Sequence, residues 1–401
     1  MDERGPRPLT GLVLTGGGAR AAYQVGVLRA LSHILPRGCP NPFPIVCGTS
    51  AGAINAAALA ASATDFHRAV RRLLLVWKHF HADMVYRADP FGVLSTGLRW
   101  LSALVVGGLG KSNPHSLLDN TPLVQLLNQL LDLDGIQHSI DAGALRAVAV
   151  TMSGYSSGQS VTFFQGVPGL ASWERARRIG VPARIEIDHL LASSALPFIF
   201  PAVRIHREYF GDGSMRQIAP VSPALHLGAD RVLVIGVGRQ LTTHPERVRS
   251  EGYPSLAQIA GHALNSIFLD TLEVDLERLQ RINRTVSLIP AEERLRKNFP
   301  LREIETLVIR PSVDLDVIAG RFVHTLPRSI RWLLRGLGAT RRTGATLTSY
   351  LLFERPFCRT LINLGYRDTM ARRAEVQKFI TSDGGRPLHS DPLRLEQEEG
   401  P

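Results

Sequence analysis

The sequence predicts an α/β protein with a mainly parallel central sheet covered by helices on both faces, followed by a mostly helical C-terminal extension. Two short apolar runs, residues 9–15 and 45–47, each lead through a glycine-containing turn into a helix-spaced segment, residues 21–35 and 51–63. Strands alternating with helices over short links are the pattern of parallel strands joined by crossover helices. Residues 231–238 contain Val-Leu-Val-Ile, an unbroken apolar run that suits a strand buried on both faces. Beyond Gln240 the composition shifts toward long helical spacing.

Taken in order, residues 1–8 form a polar tail with Asp2 and Glu3, without the basic-then-apolar order of a signal peptide. Residues 9–15 read as a buried strand. Residues 21–35 read as a helix, because Val25, Leu28, Leu31 and Leu35 share one face. Residues 36–44 form a loop and 45–47 a second strand. The alanines of residues 51–63 suit a helix that packs close to a sheet.

Residues 67–115 read as a less regular stretch, and 84–117 as a candidate lid or interfacial insertion. Within it, residues 91–110 approach the length of a membrane span, but Arg99 lies in the middle. A central arginine costs roughly 3 kcal/mol on insertion scales, which favours a surface or lid helix. Trp100, Leu101, Leu104, Val105 and Leu109 are then available to acyl chains or bilayer.

Residues 122–131 read as a helix with Thr121 as N-cap and Pro122 in the first turn. Residues 146–152 and 160–166 read as strands, and the strand-like run 203–210 leads into a glycine-flanked aspartate. Residues 9–240 are thus one α/β domain and 241–380 the extension. The extension holds a long helix at 256–282, with Leu269, Leu272, Leu276 and Leu279 on one side. Strands are expected at 285–290 and 307–310, and an arginine-rich helix at 327–335. The polar tail 381–401 is expected to be disordered.

The chain has 401 residues and a net charge of +11, with 44% hydrophobic and 20% charged residues, which excludes a wholly disordered, collagenous or coiled-coil chain. Cys39, Cys47 and Cys358 supply neither a disulfide framework nor a Cys-x-x-Cys metal site, so a reducing, cytoplasmic setting is expected. Lys78, Lys111, Lys297 and Lys378 are the only lysines among 46 basic residues. The arginines are scattered and accompany no zinc-finger or RNP pattern, which argues against nucleic acid. Guanidinium groups also suit phospholipid phosphates. In the 327–335 helix, Arg328, Arg331 and Arg335 beside Trp332 give a basic amphipathic face for peripheral contact with an anionic membrane.

Gly48-Thr49-Ser50-Ala51-Gly52 is a Gly-x-Ser-x-Gly pentapeptide between a strand and a helix. That context is a nucleophile elbow: the serine occupies a cramped turn, and a side chain at Gly48 or Gly52 would collide with the neighbouring strand or helix. Gly16-Gly17-Gly18-Ala19-Arg20 is also a strand–helix link, whose amides can converge on an oxyanion or a phosphate. Gly16-x-Gly18-x-x-Ala21 meets a loose dinucleotide fingerprint, but that site expects an acid about 20 residues on. No acidic residue lies between Glu3 and Asp65. Gly110-Lys111-Ser112 is not a phosphate loop, because Val105 stands where a glycine is required.

A serine nucleophile needs a base. By chain order His226, His244, His262 and His324 are candidates, but none sits in a distinctive strand-end motif. Asp212, within Gly211-Asp212-Gly213-Ser214, does, and a desolvated aspartate gains proton affinity toward the working pH.

The three motifs, in this order, resemble the patatin-like phospholipase family over residues 9–238. Residues 192–201 and 220–233 are similar to the stretches that flank that family's aspartate. The resemblance implies a three-layer α/β/α fold and a lipid or phospholipid substrate. It implies Ser50 as nucleophile and Asp212 as general base, with no histidine, metal or cofactor. Gly16, Gly17, Gly18 and Arg20 would form or support the oxyanion hole, and Gly213 would complete the aspartate motif. The sequence departs from the family at Ala21 and Ser214, both small. A catalytically silent lipid-binding or scaffold protein, or an acyltransferase, would carry the same residues.

Overall fold

The computed structural model describes residues 8–39, 41–88, 116–238, 271–296, 301–336 and 345–381. Strand β1 (Thr10–Leu14), helix α1 (Ala22–Ile34), strand β2 (Ile45–Thr49) and helix α2 (Ala51–Ala60) open the chain. Helices α3 (Phe66–Lys78), α4 (Thr121–Leu130) and α5 (Asp134–Asp141) follow. Next come strands β3 (Ala147–Gly154), β4 (Ser160–Gly166), β5 (Trp173–Arg175) and β6 (Arg178–Pro182). Helix α6 (Ile187–Ser193), strands β7 (Val203–Ile205) and β8 (Glu208–Asp212), helix α7 (Ser222–His226) and strand β9 (Arg231–Ile235) lead to the C-terminal part. That part holds α8 (Thr271–Ser287), α9 (Ala291–Arg296), β10 (Glu305–Ile309), α10 (Leu315–Phe322) and α11 (Arg328–Gly336). It ends with α12 (Ala345–Leu351), α13 (Arg355–Ala371) and α14 (Arg373–Thr381).

The strands form one mixed sheet in the order β10-β9-β1-β2-β3-β4-β6-β5, with β8 paired to β3 and β7 paired to β8. From β10 to β3 every neighbouring pair is parallel. Strands β4 and β8 run antiparallel to β3. Successive side chains point to opposite faces, so each apolar strand feeds two cores. Leu12 and Leu14 join Val46, Val148 and Val150 beneath α1, α2, α3 and α13. Val13 joins Ile45, Cys47, Ala149, Val232 and Val234 against Ala224 of α7 and Leu272, Leu276 and Leu279 of α8. The result is helix, sheet, helix: the three layers expected.

The C-terminal residues are mainly helical and sit on the same framework. Strand β10 extends the sheet beyond β9. Helix α13 lies backbone-close along α1: a Cβ at Gly26 would collide with the Ile362 carbonyl, and one at Gly365 with the Tyr23 carbonyl.

Several local expectations are corrected. Residues 66–78, which open the stretch 67–115 read as irregular, form α3. Asp65 caps it by accepting from Arg68 N–H at 2.9 Å. Its buried stripe of Phe66, Ala69, Val70, Leu73 and Trp77 has helical spacing, but arginines interrupt it in sequence. The run 203–210 is a hairpin, not one strand, turning at His206 with φ +53°. Residues 285–287 end helix α8 instead of starting a strand. The N-cap of α4 is Asn120 rather than Thr121, whose N–H and hydroxyl both donate to Asp119. Residues 91–110, 256–270 and 382–401 lie outside the described residues, as do His244, His262 and the Gly110-Lys111-Ser112 sequence. Among the described residues no helix is long and apolar enough to cross a membrane.

Candidate active site

The turn from β2 to α2 places Ser50 in the left-handed region at φ 56° and ψ −134°, buried to 2% exposure. A serine is strained there, as an elbow requires. The flanking glycines are needed for space. A Cβ at Gly48 would lie 2.5 Å from Ala53 Cα in α2, and one at Gly52 would lie 2.6 Å from Thr15 O beyond β1. The turn is also held from the side. Ser50 N–H donates to Ser193 Oγ at 2.9 Å, and Ser193 Oγ donates to the Thr151 carbonyl at 2.7 Å.

Sheet register brings the aspartate alongside. Thr49 of β2 pairs with Thr151 of β3, and the next residue of β3, Met152, pairs with Asp212 at the end of β8. The two motifs, far apart in sequence, therefore meet across one central strand. Gly213 is tight here too, since a Cβ would strike the Thr151 carbonyl. Asp212 is fully buried, and its Oδ1 accepts from Ser214 N–H at 2.9 Å. Burial pushes its carboxyl up from 3.8 to about 6, opposed by the Ser50 hydroxyl and by Ser214. Oδ2 has no donor in ideal hydrogen-bond geometry, yet the Ser50 hydroxyl is near enough to favour the charged form. A carboxyl poised near neutrality, buried beside a strained serine, can accept that serine's proton.

The glycine loop comes to the same place: Gly18 and Ser50 line one cleft. Gly18 has φ +53°, and a Cβ there would run into the Tyr350 carbonyl of α12. At Gly17 the constraint is room, with a Cβ only 2.5 Å from Val237 Cγ2. Gly16, just before them, is buried. Arg20 is 2% exposed and ties the loop to the C-terminal helices. It is ion-paired with Asp316 of α10, donates from Nε to Ser349 Oγ at 2.8 Å and stacks 4.2 Å from the Tyr350 ring centre. Nothing in the sequence signals Asp316, Ser349 or Tyr350 as supports. Ser193 lies in a stretch whose family resemblance is legible, but its bridging role is not.

The cleft that opens on Ser50 encloses about 1110 Å³, solvent at its mouth included. Ile54 and Ala58 of α2, Leu73 and Trp77 of α3, and Leu123 and Leu127 of α4 form its walls. Phe200 and Phe353 flank it as well. Helix α3, hidden in the sequence, thus builds a whole wall.

The two described candidate histidines are elsewhere. His226 stacks on Trp173 at 4.8 Å on the opposite face of the sheet, where burial and the nearby Arg175 and Arg178 push it down to about 4. His324 lies in the turn after α10. No described group of three His, Cys, Asp or Glu residues could hold a metal ion.

A model of the patatin-like phospholipase family matches residues 12–225. The chain belongs to that family. A cGAMP-activated phospholipase of Pseudomonas aeruginosa is 30% identical over 215 residues, 54% of this chain and 55% of that protein. The chain therefore matches about half the length of this relative. Two solved structures align with most of this chain at low identity. VipD of Legionella pneumophila is 14% identical with a TM-score of 0.33, covering 92% of this chain and 67% of its own. Human GIVD cytosolic phospholipase A2, bound to methyl gamma-linolenyl fluorophosphonate, is 14% identical with a TM-score of 0.39, covering 94% of this chain and 59% of its own.

Proposed function

We propose that this chain hydrolyses acyl esters of lipids through an acyl-Ser50 intermediate, with Asp212 as general base. One observation carries the reading: Ser50 lines an apolar cleft and lies beside a buried carboxyl that burial raises to about 6. Asp212 accepts the hydroxyl proton as Ser50 Oγ bonds to the ester carbonyl carbon. The oxyanion so formed takes hydrogen bonds from amides of the Gly16-Gly17-Gly18 loop, held in place by Arg20 from behind. The carbonyl reforms as the C–O bond to the alcohol or lysophospholipid breaks, and the proton on Asp212 passes to that leaving oxygen. Water then gives a proton to Asp212 as its oxygen attacks the acyl carbon; the bond to Ser50 Oγ breaks, Asp212 passes the proton to that oxygen, and the fatty acid is released.

The same reading includes peripheral contact with anionic lipid. On α11, Ile330 and Leu334 are buried, Trp332 is 65% exposed, and Arg328 and Arg335 are exposed beside it. Ser329 Oγ donates to the Ala88 carbonyl, which sets this helix next to the segment that contributes Val85 to the cleft wall.

A fluorophosphonate probe tests the chemistry. Wild-type protein should be labelled at Ser50, while Ser50→Ala stays unlabelled and releases no fatty acid from phospholipid vesicles. A folded wild-type protein that no probe labels defeats the hydrolase reading. Substantial turnover in Asp212→Asn moves the base elsewhere.

A further inference from the structure

The cleft has a direction and an end. Ser50, Ile54, Ala58 and Ala61 are spaced along one face of α2, so the cleft follows that helix away from the nucleophile. Helix α4 lines it from Leu123 to Leu130, and helix α3 from Ala69 to Trp77. At the Ala61 end the lining changes chemistry: Ser62, Arg72 and Asp132 join Leu130 and Leu131, and Arg72 Nη1 lies 3.5 Å from Ser62 Oγ. Arg72 and Asp132 are exposed, so this far end reaches solvent.

The apolar length follows from helix geometry. Ala61 lies eleven positions beyond Ser50, about 16 Å at roughly 1.5 Å per residue. An extended hydrocarbon advances about 1.25 Å per carbon, given tetrahedral angles and C–C bonds near 1.5 Å.

We infer that the cleft takes a single acyl chain of about 13 carbons in its dry part, with Ala58 and Ala61 setting the reach and the Arg72–Asp132 end marking its exit to water. This rests on the acyl-hydrolase reading for the position of the ester. Methylenes beyond the exit return to solvent and add nothing, so long chains are accepted without being preferred. Ala58 stands about 12 Å along the helix from Ser50. A phenylalanine there cuts the dry length to about nine or ten carbons.

The test uses direct binding of saturated fatty acids of increasing length to Ser50→Ala, in parallel with labelling rates of wild-type Ser50 by alkyl fluorophosphonates of matching length. Affinity is expected to rise about twofold to fourfold per methylene up to about 13 carbons and then level off. Ala58→Phe should move the levelling point down to about nine or ten carbons. Should Ala58→Phe fail to fold, Leu130→Asp serves at the far end. Leu130 is 49% exposed, and its replacement should weaken only chains longer than about ten carbons. A plateau well below ten carbons, a rise continuing unchanged to about 18, or an unaltered profile in both variants overturns the inference. If Ser50→Ala binds with the expected profile while no probe labels wild-type Ser50, the hydrolase reading fails and the single-chain cleft stands. Labelling without any length dependence overturns the single-chain cleft and leaves the hydrolase reading in place.

Discussion

Replacing Asp212 by asparagine should make the protein more stable at neutral pH while abolishing turnover. Asp212 is fully buried, and burial pushes its carboxyl from 3.8 up to about 6. Between those two values the folded protein holds a proton that the unfolded chain has released. Stability is therefore greatest below the unfolded value and is lost as pH rises through about 6. One pKa step is worth about 1.4 kcal/mol, so the ionised carboxylate destabilises the fold by about 3 kcal/mol above pH 7. Asparagine keeps the shape and never ionises. Urea denaturation of wild type and Asp212→Asn at about pH 4 and pH 8 reads the difference. The variant should gain up to about 3 kcal/mol on wild type between the lower pH and the higher one. In the wild type, kcat/KM should rise with pH through an inflection near 6, because the base must be charged. A stability difference that does not change with pH, or an asparagine variant weaker than wild type at pH 8, refutes the assignment of Asp212 as a desolvated base.

Gly18→Ala should cost at least about 1–2 kcal/mol, for left-handed backbone alone, and should slow Ser50 labelling because the loop must move off Tyr350; unchanged melting and labelling would show that the loop has slack. Asp316→Leu should cost about 3 kcal/mol by leaving the buried Arg20 charge unpaired, and adding Arg20→Met should recover most of that loss; additive losses in urea titrations would mean the two side chains act independently. His226→Ala should retain ester hydrolysis within a few-fold, since the ring lies across the sheet from Ser50; a loss of two orders of magnitude would contradict the histidine-free dyad.

Features with a local cause are legible in the order of residues alone. An elbow glycine such as Gly48 or Gly52 is dictated by the turn between one strand and the next helix, so Gly-x-Ser-x-Gly in that context points to Ser50. The apolar runs of β1, β2 and β9 point to strands buried on both faces. Asp212 is legible only as a strand-end acid of fitting chemistry. Its approach to Ser50 depends on register through β3, a long-range pairing that no local pattern encodes. Arg20 is legible as a member of the glycine-loop motif, but its partners Asp316 and Ser349 come from helices roughly 300 residues away. Helix α3 is hidden because arginines break its apolar stripe in sequence, while in space Arg68 and Arg71 are exposed and Arg72 lines the cleft at its solvent end. What the residues do together is therefore settled in three dimensions. Folding sets the burial that raises the Asp212 carboxyl, the clamp on the glycine loop and the length of the cleft. Each of these is a property of surfaces brought together from distant parts of the chain, and local spacing carries no record of them.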